Sequence, residues 1–148
     1  MLEVGDRAPA FELPDHAGQT VSLADLLASG PAVLFFYPGD FTPICTREAC
    51  MVRDVHAELA AAGVRVAGIS PDSPDKHKQF RERYELNYAL LSDERKAAIA
   101  AYDVQGPLGL GVRRVSYLIA PDGTVRDRLR ADFQVARHEA FLRRALEK

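Results

Sequence analysis

The sequence is poor in cysteine: Cys45 and Cys50 are the only two among 148 residues. That excludes a disulfide framework. It also argues against a structural zinc site, because the pair is not Cys-x-x-Cys and no second cysteine/histidine pair completes four ligands. An excess of charge of one sign is missing too: 19 basic and 21 acidic residues leave a net charge of −2, with no electrostatic footprint for nucleic acid or an anionic membrane. No apolar stretch approaches the ~20 residues of a membrane span. The opening run, Met1-Leu2-Glu3-Val4-Gly5-Asp6-Arg7, has no apolar signal core, so a cytoplasmic location is expected. Repeats, linkers and low-complexity tracts are absent. What remains is an ordinary composition, 47% hydrophobic and 27% charged, in a chain long enough to bury its own core without a staple. One domain over residues 1–148 is expected.

The apolar pattern predicts a central α/β arrangement. Residues 10–13 and 20–23 flank the turn-rich Pro14-Asp15-His16-Ala17-Gly18 and read as an N-terminal hairpin, followed by a short helix over 23–28. The run 32–37 is continuously apolar, as suits a strand buried on both faces. A helix over 43–62 follows, with Glu48, Val52, Val55 and Leu59 on one stripe and Gly63 placed to end it. Strand 64–70 completes a right-handed βαβ unit. Beyond it come a helix over 74–84 capped by Ser73, a strand over 88–91, a helix over 93–102 and a glycine-rich mobile loop over 105–111. Strands over 115–120 and 124–129 are joined by Pro121-Asp122-Gly123, and a terminal helix spans 138–146. The sum is a mixed sheet with helices on both faces.

Cys45 has the more telling position. With Thr42 as N-cap, Pro43 at N1 and Ile44 at N2, it occupies N3 of the long helix, and the Thr42 hydroxyl is expected to accept a hydrogen bond from its N–H. There the unpaired N–H groups and the helix dipole favour the thiolate, the reactive form. Cys50, on the same helix, is displaced by ~7.5 Å of rise and about 140° of rotation, a Cα–Cα separation of roughly 8–9 Å. A disulfide needs about 4.4–6.8 Å, so the pair bonds only if the helix start unwinds. Two bland readings compete: buried cysteines behaving as small hydrophobes, or a cysteine–histidine hydrolase. His56 lies ~16 Å along the helix, too far to serve as a base. Solvated side chains are expected for His16, His77 and His138.

The segment Pro38-x-x-x-Thr42-x-x-Cys45 resembles the active-site motif of peroxiredoxins, thiol peroxidases on a thioredoxin-like fold. The resemblance extends through the opening 5–13 and through Arg114-Val115-Ser116-Tyr117-Leu118-Ile119 with its following turn. The cysteine spacing is similar to that of the bacterioferritin comigratory protein (PrxQ) group, and the local run also resembles the AhpE-like clade. The family implies a thioredoxin-like fold, with a central mixed β-sheet flanked by helices and an N-terminal β-hairpin. It implies Cys45 as peroxidatic nucleophile, oxidised to a sulfenic acid, and Cys50 as resolving thiol closing an intramolecular disulfide. It further implies that Thr42 orients the peroxide, Pro38 shields the thiolate, Arg114 stabilises thiolate and developing charge, and Glu48 orients the arginine network. Since neighbouring strand residues face opposite ways, only one of Arg113 and Arg114 can point inward, and the family register selects Arg114. The substrate is then a hydroperoxide, the reductant thioredoxin or a similar dithiol, the cofactor none, and the chain a monomer. Phe41, Ile44 and Gly39 depart from the PrxQ pattern, and the first two predict an apolar pocket mouth suited to organic hydroperoxides. Two other functions remain open at this point. A thioredoxin-type oxidoreductase would need cysteines that pair without unfolding, and a non-enzymatic module would survive Cys45→Ser.

Overall fold

The computed structural model describes residues 1–147; Lys148, the last residue of the domain expected over 1–148, lies outside the described residues. Strands β1 (Glu12–Pro14) and β2 (Thr20–Ser22) pair antiparallel as the expected hairpin. Helix α1 (Leu23–Leu27) follows directly, its start closed by a reciprocal cap between Ser22 and Asp25. Strand β3 (Ala32–Phe36), helix α2 (Pro43–Ala61) and strand β4 (Arg65–Ser70) form the βαβ unit, and Gly63 past the end of α2 has φ +80°. Helix α3 (Pro74–Arg83) begins at Ser73, whose hydroxyl accepts from the Lys76 N–H. Strand β5 (Ala89–Ser92), helix α4 (Ala97–Ala101), strands β6 (Val115–Ile119) and β7 (Val125–Arg130) and helix α5 (Val135–Ala145) complete the chain.

The five-stranded sheet has the order β5-β4-β3-β6-β7, parallel across β3–β4–β5 and antiparallel across β3–β6–β7. Every residue of central β3 is buried, and the two-residue period of the strand divides them between two cores. Leu34 and Phe36 join α1 and α4 on one face; Val33, Phe35 and Tyr37 join α2, Phe80 of α3 and Phe141 of α5 on the other. The same alternation sorts β6. Val115, Tyr117 and Ile119 belong to the first core, and Leu118 to the second. Arg114 and Ser116 share the parity of Leu118, so they face α2 and α5.

Three expectations change. The helix expected over 93–102 begins at Ala97, because buried Asp93 takes the N–H groups of Ala97 (3.0 Å) and Ile99 (2.7 Å) onto its carboxylate and makes residues 93–96 a turn. The terminal helix begins three residues before 138, at Val135. The 105–111 loop contains a 3₁₀ turn over Pro107–Gly109, and a bridge between Gln105 and Val112 ties its two ends.

Candidate active site

The strand-to-helix connection after β3 carries Pro38, Thr42 and Cys45 to one end of the sheet. The Cys45 side chain is buried, 1% exposed, at the start of α2. Arg114, just before β6, meets it: Nη2 donates to Cys45 Sγ at 3.0 Å. Arg113 points away and donates through Nε to the Gln105 carbonyl at the surface. The guanidinium is held from behind. Its Nη1 donates to the Asp132 carbonyl at 2.5 Å, and the Arg114 N–H donates to Asp132 Oδ1 at 3.1 Å. The Ala131 N–H in turn donates to the Arg114 carbonyl. A cation fixed by its own backbone and a neighbouring turn is preorganised, so little ordering cost attends its contact with sulfur.

Thr42 differs from expectation. It occupies the N-cap position by backbone conformation, yet its hydroxyl caps no helix N–H. Instead it donates to the Gly39 carbonyl at 3.0 Å. The first backbone bond of α2 runs from Thr46 N–H to the Thr42 carbonyl, so the N–H groups of Ile44 and Cys45 precede the helical ladder. These donors converge on the thiol end of the helix, where they can meet an anion. Phe41, beside them, is a non-glycine residue in the left-handed region (φ 67°), and its ring stacks edge-on against Phe80 at 5.0 Å. At 43% exposed it makes an apolar rim, while Pro38 and Ile44 are half-buried.

Glu48, one turn beyond Cys45, is 1% exposed, and neither carboxylate oxygen has a hydrogen-bond partner among the described residues. It makes no hydrogen bond to Arg114, whose buried Nε is likewise unpartnered. Burial pushes the Glu48 carboxyl up to about 8, against the pull of the nearby Arg114 charge. The nearest polar contact is His138 Nδ1, 3.5 Å from Oε2. Cys50 sits farther along α2, half-buried, and both cysteines are free thiols.

Two histidines expected in solvent are buried. His77 is 0% and His138 1% exposed. His77 binds Asp40 Oδ2 (2.6 Å) and the Leu91 carbonyl (3.0 Å). His138 binds the Ala131 carbonyl and Ser116 Oγ, each at 2.8 Å. A spacing signal existed for both. His138 lies three, four and seven residues before Phe141, Leu142 and Ala145, the buried stripe of α5, and His77 lies three before buried Phe80. Asp132 gave no such signal, since its role comes from a turn.

Asp40, Asp72 and His77 lie close enough together to bind a metal ion. Their polar atoms are already engaged, however: Tyr37 donates to Asp40, while Ser70, Lys76 and the Asp40 N–H all meet Asp72. A surface cleft of about 560 Å³ between the hairpin turn and α3, lined by His16, Lys78 and Arg81 among others, contains neither cysteine.

The chain is similar to proteins of known kind along nearly its whole length. The pattern of the AhpC/TSA family matches residues 4–128. Peroxiredoxin Bcp of Escherichia coli (strain K12) is 42% identical over 144 residues, covering 93% of this chain and 90% of that protein. The crystal structure of peroxidoxin BcpB from Mycobacterium tuberculosis superposes with a TM-score of 0.92 at 37% identity, covering 99% and 97% of the two chains. The Xanthomonas campestris bacterioferritin comigratory protein, studied for its alkyl peroxide reduction activity, superposes at 0.85 with 30% identity, covering 93% of this chain and 90% of its own.

Proposed function

The chain belongs to the AhpC/TSA family and is a thiol-dependent peroxidase of the bacterioferritin comigratory protein type, and from that premise we propose that Cys45 is its peroxidatic thiol and Cys50 its resolving thiol. The observation that carries this assignment is the contact of Arg114 Nη2 with a buried Sγ at a helix start. A fixed cation and a helix N-terminus both stabilise the thiolate. They also stabilise the negative charge that develops on the departing peroxide oxygen.

In this reading the Cys45 thiolate attacks one oxygen of the hydroperoxide. The S–O bond forms as the O–O bond breaks, giving a sulfenic acid and an alkoxide or hydroxide that takes up a proton. The backbone N–H of Cys45 and the Thr42 hydroxyl contact the peroxide, the hydroxyl by turning from the Gly39 carbonyl, while Pro38 limits access of water. Cys50 then attacks the sulfenic sulfur, water leaves, and a disulfide closes. Helical geometry keeps the two Cα atoms roughly 8–9 Å apart, so this step requires the start of α2 to unwind. The same separation disfavours a thioredoxin-type oxidoreductase, whose cysteines pair in place. A dithiol reductant restores the thiols, and we assign that role to thioredoxin or a similar protein, acting on a single-domain monomer in the cytoplasm. No helix among the described residues is long and apolar enough to cross a membrane. The Phe41 rim supports organic hydroperoxides as substrates alongside hydrogen peroxide, in keeping with the alkyl peroxide reduction studied in the Xanthomonas relative.

Peroxide consumption in the presence of a dithiol reductant tests the assignment. Cys45→Ser should abolish turnover, whereas Cys50→Ser, assayed with the dithiol left out, should consume one equivalent of peroxide and stall as the sulfenic acid. With the unaltered protein, cumene hydroperoxide should be reduced at least as efficiently as hydrogen peroxide. Turnover surviving in Cys45→Ser would overturn the assignment, and a clear preference for hydrogen peroxide would overturn the apolar-mouth reading.

A further inference from the structure

Behind Arg114 lies a buried pair that the reaction as described above does not use. Glu48 comes from α2 and His138 from α5, and each is 1% exposed. The orientation of the His138 ring follows from its partners. Nε2 faces the Ala131 carbonyl at 2.8 Å, and a carbonyl can only accept, so the ring hydrogen is on Nε2. Burial and the neighbouring charges of Arg114 and Arg137 hold the ring below the usual histidine range, although the Ala131 contact opposes them. A neutral ring with hydrogen on Nε2 presents a lone pair at Nδ1. The Ser116 hydroxyl donates to that lone pair at 2.8 Å, so the ring has no hydrogen to offer Glu48 Oε2, 3.5 Å from Nδ1. A buried carboxylate that is offered no donor is disfavoured against the protonated acid.

The consequence reaches the thiol through Arg114. One guanidinium has two possible anionic partners, the Cys45 thiolate and the Glu48 carboxylate. Its Nη2 is on the sulfur, while its Nε is buried and unpartnered. An ionised Glu48 would compete for that charge and would repel the thiolate across the same buried volume. We propose that His138 is a positioning residue for the peroxide reaction: with both ring nitrogens committed elsewhere it offers Glu48 no hydrogen, so the buried carboxyl stays uncharged and the charge of Arg114 is left to Cys45. The same histidine binds the Ala131 carbonyl of the turn that grips Arg114, so α5 sets both the position and the charge balance of the arginine. The proposal rests on the peroxidase reading of Cys45.

The charged and titratable groups around the pair are Cys45 on α2, Arg114 before β6, Tyr88 before β5, Asp132 after β7 and Arg137 on α5. Burial keeps Tyr88 protonated far beyond the neutral range. Glu48, pushed up to about 8, is the carboxyl expected to lose its proton as pH rises from 7 to 9.

The test is a single-turnover pH profile of Cys45 oxidation by hydrogen peroxide in a Cys50→Ser background, read by quenching, alkylation and mass measurement. Taken relative to Glu48→Gln, which cannot ionise, the rate constant should fall about tenfold between pH 7 and pH 9, following the protonated fraction of a carboxyl titrating near 8. His138→Gln replaces the lone pair with an amide able to donate to the carboxylate, and should move the fall to lower pH. A merely structural role for His138 would lower the rate equally at every pH. Superposable profiles for the parent protein and Glu48→Gln would overturn the proposal, as would a fall left in place by His138→Gln. Should Cys45 react at no pH in any of these proteins, the peroxidase reading would fall and take the proposal with it, an outcome distinct from superposed but active profiles.

Discussion

Two buried acid–histidine pairs tie α2 and the loop before it to neighbouring elements, and they differ in how fully they are bonded. In the first, Asp40 and His77 are both almost fully buried, and every polar atom has a partner. Tyr37 donates to Oδ1 at 2.6 Å, His77 Nδ1 meets Oδ2 at 2.6 Å, and Nε2 meets the Leu91 carbonyl at 3.0 Å. Through this pair the loop between β3 and α2 is fastened to α3 and β5. In the second, Glu48 and His138 are equally buried, but both Glu48 oxygens and the nearby Arg114 Nε lack hydrogen-bond partners. Buried polar groups are nearly always bonded, and an unbonded one costs folding free energy. The satisfied pair acts as a fastening for the catalytic loop. The unsatisfied pair lies directly behind the arginine that touches the thiol, where stored electrostatic cost can be used by the reaction.

The comparison can be broken by altering either pair. The larger effect on stability belongs to the fastening. Asp40→Ala leaves the Tyr37 hydroxyl and His77 Nδ1 buried without their partner, and each polar group so left costs about 1–3 kcal/mol. For a chain of this length that lowers Tm by roughly 10 °C, as calorimetry or thermal circular dichroism would show. A drop of less than about 1 kcal/mol would mean that Asp40 is no fastening at all. The smaller effect belongs to Glu48 and depends on pH. Its carboxyl holds a proton more tightly when folded, near 8, than when unfolded, near 4.5. The folded state therefore binds more protons between these values, and stability declines as pH rises through that window until the carboxyl is ionised in both states. Glu48→Gln removes this decline. Its stability relative to the parent should grow from pH 5 to pH 9 by about 2–4 kcal/mol, measured by urea unfolding at each pH. A constant difference across that range would show that Glu48 titrates normally.

Much of this arrangement was legible in the residues. The apolar run ending at Tyr37 and the Pro43 start of α2 follow from period and local chemistry, while alternation lets only one of Arg113 and Arg114 face inward and the family resemblance selects Arg114. The structure places the Arg114 guanidinium on the sulfur and Arg113 at the surface, as the parity of β6 requires. Details set by side-chain competition were less legible. Thr42 was expected to cap Cys45, but a nearby carbonyl, Gly39, takes its hydroxyl. Asp93 was assigned to a helix, yet its carboxylate binds two backbone N–H groups and delays the helix to Ala97. His77 and His138 were assigned to solvent because periodicity treats histidine as polar. Each in fact continues an apolar stripe and finds its partners across the fold, on Asp40 and Leu91 or on Ser116 and Ala131. Partners so distant in sequence leave no local mark. The cleft beside His16 shows the converse, a cavity evident in three dimensions that holds neither cysteine.

The central claim is that Cys45 meets the peroxide and Cys50 answers it. The most direct measurement treats the reduced protein with one equivalent of hydrogen peroxide, alkylates remaining thiols, digests, and maps the cysteine peptides by mass spectrometry. The account predicts a Cys45–Cys50 disulfide in the unaltered chain and a sulfenic acid on Cys45 in Cys50→Ser. Recovery of Cys45 as an alkylated free thiol, with the peroxide unspent, would contradict it and return the pair to ordinary packing residues of α2.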